Sequence, residues 1–242
     1  MEEGKTVSRE KVLQLFSELT GRLSLASKLG VDSYSGARDI YEALGYPKEL
    51  SFSDYWSRYK RHDIAKAIID RPVKASWKGE IQVIENLEDK STEFEKAWTE
   101  VSERLKLKSI FIRADKLTGI GRYSVLFLGL DDAKTKESLA KPVTKGKRKL
   151  LYVKPLSEKD AQISLYETDP LNERYGLPKA YTVNVKEGDS SITVMIHHTR
   201  VVHLVEDLLD NEIFGTPRLE VVYNRLMDLE KLVGGDAETF GS

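Results

Sequence analysis

Three of the four histidines lie in one run, Met195-Ile196-His197-His198-Thr199-Arg200-Val201-Val202-His203, and imidazoles this close invite metal binding or acid–base chemistry. On an uninterrupted strand side chains alternate, so His197 and His203 share a face and His198 points away. A metal site there needs carboxylates from elsewhere, and Glu206 and Asp207 are the nearest. The competing reading makes these half-buried strand histidines bonded to nearby backbone, and short motifs mislead often enough to favour it. His197-His198-Thr199 also matches the His-x-Thr half of a two-histidine phosphoesterase, in which one histidine acts as base and the other as acid. Its mate is missing: Asp63 and Ile64 follow His62, and Leu204 and Val205 follow His203. No catalytic residue, cofactor-binding residue or metal ligand is therefore assigned.

Other constellations carry less. Gly119-Ile120-Gly121 precedes a strand, whereas a dinucleotide fingerprint follows one and opens a helix, and Ser124 takes the place of the third glycine. No phosphate-binding Walker pattern, Gly-x-Ser-x-Gly elbow or His-Glu-x-x-His occurs. Lys141, Lys145, Lys147, Arg148 and Lys149 form a basic loop around Gly146, able to touch phosphate, although charge runs more often mark a solvated hairpin tip. Residues 58–78 hold seven basic side chains against Asp63 and Asp70, and residues 206–238 hold nine acidic ones against Arg218, Arg225 and Lys231. Two oppositely charged surfaces on one subunit suit a head-to-tail ring contact, which joins different patches of identical chains.

The elements that must position these groups follow from periodicity. The pattern predicts a helix over Ser8–Leu29, a loose arm over Val31–Ser53 with a short helical piece around Ile40–Leu44, and a soft domain boundary near Leu50. Two helices separated near His62 fit Phe52–Trp77, with Pro72 stopping the second. Thr92–Leu107 reads as an amphipathic helix with Phe94, Ala97, Trp98, Val101 and Leu105 inward, and Leu107–Leu117 as a shorter one broken by Gly119 and Gly121. The period then becomes extended, with strands at Tyr123–Leu130, Leu150–Val153, Ile163–Tyr166, Ala180–Val185 and Ile192–Ile196. Thr216, as N-cap before Pro217, opens a last helix to Val233, whose buried stripe is Leu219, Val222, Leu226, Leu229 and Leu232. The fold class is α+β: N-terminal helices, a mostly antiparallel sheet and a C-terminal helix, divided into an arm (1–50) and a main domain (51–242).

Composition sets outer limits. The 242 residues carry 38 basic and 39 acidic side chains, a net charge of −1, so any nucleic-acid contact is local and not a property of the whole surface. Absence of cysteine excludes disulfides and Cys-based zinc sites and fits a reducing compartment. No stretch reaches the roughly 18 apolar residues of a membrane span, so no membrane partner is expected.

Four separated segments resemble one family, the tailed-phage portal proteins of the prophage type, some of which are associated with anti-CBASS phosphodiesterases. They are Ile64–Pro72 with Trp77 and Gly79; Gly121–Asp132 continued by Leu151–Ser157; Glu167–Pro170 through Tyr175-Gly176-Leu177-Pro178 to Ile196–His203; and Phe214–Glu220 with Leu229–Glu238. The resemblance spans about residues 52–240. It implies a wing-like portal region in a head–tail connector ring, a structural and not an enzymatic role, and a place in the virion, with host cytoplasm as the site of assembly. The implied partners are further copies of the chain, the terminase large subunit, capsid and neck or tail proteins, and transient double-stranded DNA. It also implies stem helices, a tunnel loop and a crown after the wing, so the chain is expected to be the N-terminal half of a portal. It supplies no catalytic residue and no cofactor, which leaves His197, Arg200 and His203 as determinants of fold. The alternatives are a two-histidine phosphoesterase of cyclic nucleotides built on His197 and Thr199, and a phage-derived protein-interaction module.

Overall fold

A computed structural model describes residue 11 and residues 39–85, 92–187 and 190–240. Of the expected Ser8–Leu29 helix all but Lys11, which is helical, lies outside the described residues. The chain forms two compact units, residues 1–50 and 51–242. In the first, helix α1 (Ile40–Leu44) starts where the Asp39 carboxylate accepts from the Tyr41 and Glu42 amides, and ends at Gly45 in the left-handed region.

The second unit opens with α2 (Phe52–Arg61) and α3 (Asp63–Ser76), separated at His62 as the sequence suggests. His62 has extended backbone and its Nδ1 accepts from the Ala65 amide, so it caps α3. Pro72 does not stop that helix. Ile69 and Val73, which flank it on the inner face, are fully buried, and Arg218 Nη1 reaches the Ile69 carbonyl at 3.5 Å in the turn that proline disturbs. Tertiary packing thus outweighs the local cost of a helical proline. Helix α4 (Glu93–Leu105) begins with a Thr92/Glu95 capping box, and α5 (Leu107–Ile120) follows. Trp98, Val101 and Leu105 face inward as expected, but Phe94 and Ala97 are exposed because only the C-terminal half of α4 meets the core.

Among the described residues six strands make two three-stranded antiparallel sheets, and not one sheet. The first has order β2 (Leu150–Ser157), β1 (Ser124–Leu130), β6 (Val201–Leu204); the second has order β3 (Ala161–Tyr166), β4 (Pro178–Glu187), β5 (Ser190–His197). Strand β1 is apolar from Val125 to Leu130 because both its faces are covered. Val125 and Phe127 pack on Ala161, Tyr181, Val183 and Ile196 of the second sheet, while Leu126 joins Leu107, Ala114 and Val153 under α4 and α5. The layers are therefore helix, sheet, sheet.

The last helix, α6 (Tyr223–Phe240), starts later than its sequence signal. Thr216 does not cap it: its hydroxyl donates to the Asp207 carbonyl, and the Arg218 amide donates to the Gly119 carbonyl, which holds residues 216–222 as turns against α5. Leu219 and Leu226 are buried, whereas Leu229 and Leu232 are exposed, so the expected apolar stripe is covered only at its N-terminal end. Among the described residues no helix is long and apolar enough to cross a membrane.

Candidate functional site

The His-rich run is not one strand. It leaves the second sheet at His197, turns through a 3₁₀ segment at His198–Arg200, and enters the first sheet as β6. His197 and His203 therefore belong to different sheets and do not share a face. His197 Nδ1 lies 3.0 Å from Thr199 Oγ1 and accepts from the Thr199 amide, an arrangement that shapes the turn. His203 bridges Tyr181 Oη (3.1 Å) and the Ile213 carbonyl (2.8 Å) and stacks on Tyr123 at 4.8 Å. Burial pushes its pKa down, and the accepting carbonyl of Ile213 opposes that in part.

His198 stacks obliquely on His197, with ring centroids 4.4 Å apart. Burial, and then the nearby Arg174 guanidinium, lower its pKa from 6.5 to about 4. A base depressed in the folded state binds fewer protons there than in the unfolded chain. Its contribution to stability is complete above about pH 6.5 and is lost as pH falls towards about 4. The melting temperature is expected to drop across that interval, and His198→Gln to reduce the drop without abolishing it, since His197 and His203 are depressed as well; a variant profile superimposable on the parent's refutes this.

What the turn holds in place is Arg200. Its guanidinium makes a bidentate pair with Asp132, Nη1 to Oδ1 at 2.6 Å and Nη2 to Oδ2 at 2.8 Å, and both side chains are only 2% exposed. Asp132 Oδ2 also accepts from the Thr144 amide and hydroxyl, and Arg200 Nε donates to the Lys141 carbonyl. Both oxygens of the buried carboxylate thereby accept hydrogen bonds, as a buried ion pair requires. The guanidinium beside Asp132 holds its carboxyl well below the usual carboxylate range. The Val143 amide donates to Thr199 Oγ1. The turn of the suspected His-x-Thr site is thus a clamp on the connection between β1 and β2, the segment that carries the basic loop.

A second cluster surrounds Arg218. Its Nη2 donates to Asp115 at 3.0 Å and to Glu206 at 2.6 Å, and Trp77 Nε1 donates to the other Asp115 oxygen at 2.8 Å. Gly119 lies inside α5, contrary to the helix break expected of it, because Arg218 runs across it: a Cβ there would stand 2.9 Å from the guanidinium carbon. Glu206, a nearest carboxylate for a histidine metal site, is spent on this ion pair. Among the described residues no group of three His, Cys, Asp or Glu side chains could hold a metal ion. A cavity of about 360 Å³ beside Arg218, walled by Trp77, Phe111, Leu126 and Leu204, adds only Asp115 and Glu206 as charged groups, and both already accept from Arg218.

The two oppositely charged segments are not separate surfaces throughout. Arg58 pairs with Glu230 and lies over the Tyr223 ring, and Tyr55 Oη donates to Glu220, so α2 and the C-terminal segment meet within one subunit. Lys60, Arg61, Lys66, Arg71, Lys74 and Lys78 remain exposed, as do Asp207, Asp210 and Glu212.

The Arg200 clamp and the Arg218 crossing fall inside segments that carry the portal resemblance, and a comparison with family profiles is decisive: the profile described as phage portal protein matches residues 53–237. The chain belongs to the phage portal protein family. The match covers both sheets, α2 to α5 and most of α6, so both ion-pair clusters of this portal-family chain lie within it. A comparison with curated proteins gave no match. The portal family accounts for a site made of clamps: its members have a structural role, and the residues singled out for chemistry are committed to packing.

Proposed function

We propose that the chain is a subunit of the portal ring at the head–tail connection of a tailed phage, through which DNA is packaged and ejected. The observation that carries this is the family match across residues 53–237. In this reading residues 51–242 form a wing-like portal domain behind an N-terminal arm (1–50). The chain has no enzymatic activity of its own, and its partners are its own copies, the terminase large subunit, and capsid and neck or tail proteins. It is a virion component assembled in the host cytoplasm.

The phosphoesterase alternative loses its support in the geometry. Thr199 Oγ1 bonds His197 and the Val143 amide, and His203 is occupied by Tyr181 and Ile213. Ring contacts between exposed Lys60, Lys66, Arg71 and Lys74 and exposed Asp207, Asp210 and Glu212 of the next copy fit a heterologous interface. Surface ion pairs are screened within about 10 Å at ~0.1 M salt. Sedimentation velocity and native mass spectrometry are expected to show ring-sized oligomers whose population falls as salt is raised. A monomer at every salt and protein concentration would overturn the ring.

A further inference from the structure

The connection between β1 and β2 concentrates positive charge towards its tip, with Lys145, Lys147, Arg148 and Lys149 inside five residues. Lys134 and Lys136 join the five cations of Lys141–Lys149, against Asp131, Glu137 and the buried, paired Asp132, in a protein whose net charge is −1. All seven are exposed. A solvated loop needs nothing to fasten its backbone, yet this one is fastened at three carbonyls or amides: Lys141 O to Arg200, Val143 N to Thr199 and Thr144 N to Asp132. Its tip is closed by Arg148, which donates to the carbonyls of Thr144 and Lys145, around Gly146 at φ 109°. The anchor itself is a buried ion pair, whose burial is costly unless the geometry is satisfied.

Held cations lose less freedom on meeting a polyanion than cations on a loose chain, so a fixed basic tip binds better than its charge alone implies. No aromatic side chain lies between residues 131 and 149, which removes base stacking as a mode of recognition. Exposed lysines meet phosphates as point charges and carry no sequence information.

We propose that this loop binds the phosphate backbone of double-stranded DNA without sequence preference, through Lys145, Lys147 and Lys149 with Lys141 beside them. The choice of duplex DNA among polyanions rests on the portal reading. The test is fluorescence anisotropy of a labelled duplex titrated with the full chain between ~50 and ~200 mM salt. The expected result is an affinity whose logarithm falls linearly with the logarithm of salt. In Lys145→Gln/Lys147→Gln/Lys149→Gln the slope shrinks by about 0.9 per lost phosphate contact, about 2.7 in all, and binding weakens at least ~10-fold at low salt. Mixed-sequence and A·T-only duplexes respond alike. Arg148 is left in place because it closes the tip, so the variant is expected to melt with the parent.

Unchanged DNA affinity in the triple variant, preference for single strands, or binding to heparin but not to duplex DNA each overturns the assignment. Sedimentation of the same samples separates the two readings: rings without DNA binding sink the loop and leave the portal ring standing, and DNA binding by a permanent monomer does the reverse.

Discussion

Replacing Arg200 by methionine is expected to destabilise the second unit by about 3 kcal/mol, read as a fall in the denaturant midpoint at constant slope. Methionine keeps most of the volume of the side chain, so the loss is electrostatic and not a cavity. It strands Asp132, whose side chain is 2% exposed and whose remaining donors are only the Thr144 amide and hydroxyl. Breaking one side of a buried pair typically costs about 3–5 kcal/mol, and the lower end applies because a single loop covers this pair.

The pH dependence gives an independent check with a definite sign. Asp132 titrates below its ordinary value in the fold, so the pair's contribution is complete above about pH 4 and is lost as pH falls below it. Arg200→Met removes that acid-dependent part, and the gap between parent and variant narrows at low pH; a gap that widens on acidification rules the pair out as the cause. Arg200→Met/Asp132→Leu is expected to recover most of the lost stability, since two apolar groups of matching size need no partner. It restores neither the donor to the Lys141 carbonyl nor the acceptor for the Thr144 amide and hydroxyl, so the DNA affinity assigned to the loop stays reduced in this refolded background.

Much of the architecture is legible locally. The α2/α3 break at His62, the Thr92 capping box and the double-faced β1 follow from caps and periods a few residues long. The crossover at His198–Arg200 is not legible in that way. Met195–His203 has the composition of one strand, and its interruption is imposed by a guanidinium that must reach a carboxylate 68 positions earlier in the chain. Pro72 inside α3 has the same kind of cause, with Ile69 and Val73 buried on either side of it. The late start of α6 does too, since Thr216-Pro217 carries a sound N-cap signal that loses to Asp207 and Gly119 as partners. The histidines drew attention as chemistry because imidazole spacing is visible in one dimension. Asp132 and Arg218, which organise the two ion-pair clusters, look like ordinary surface charges until the chain is folded, and the only sequence signal near them is that both lie in segments resembling portal proteins.

Gly215→Ala is expected to be the most damaging change of a single methyl group. The residue lies where the loop after β6 returns on itself, its amide donating to the Arg122 carbonyl at 2.9 Å, and a Cβ there would overlap the backbone carbonyl of Glu206 and press on the Val205 side chain. A flexible side-chain end could swing away, but a main-chain carbonyl cannot. Glu206 is itself bound to Arg218, Thr216 Oγ1 donates to the neighbouring Asp207 carbonyl, and the Ile213 carbonyl is held by His203. Relief therefore requires the loop to open, with loss of the Gly215 bond to Arg122 and distortion of the Arg218 ion pairs. Overpacking by one methyl typically costs about 1–3 kcal/mol, and a fixed backbone clash belongs at or above the upper end. At Gly119 the obstacle is the Arg218 side chain, which can shift, so Gly119→Ala is expected to lose distinctly less. Thermal unfolding of the two variants beside the parent decides the matter: equal losses would mean that the loop yields as readily as an arginine side chain, and the closure described at Gly215 would be wrong.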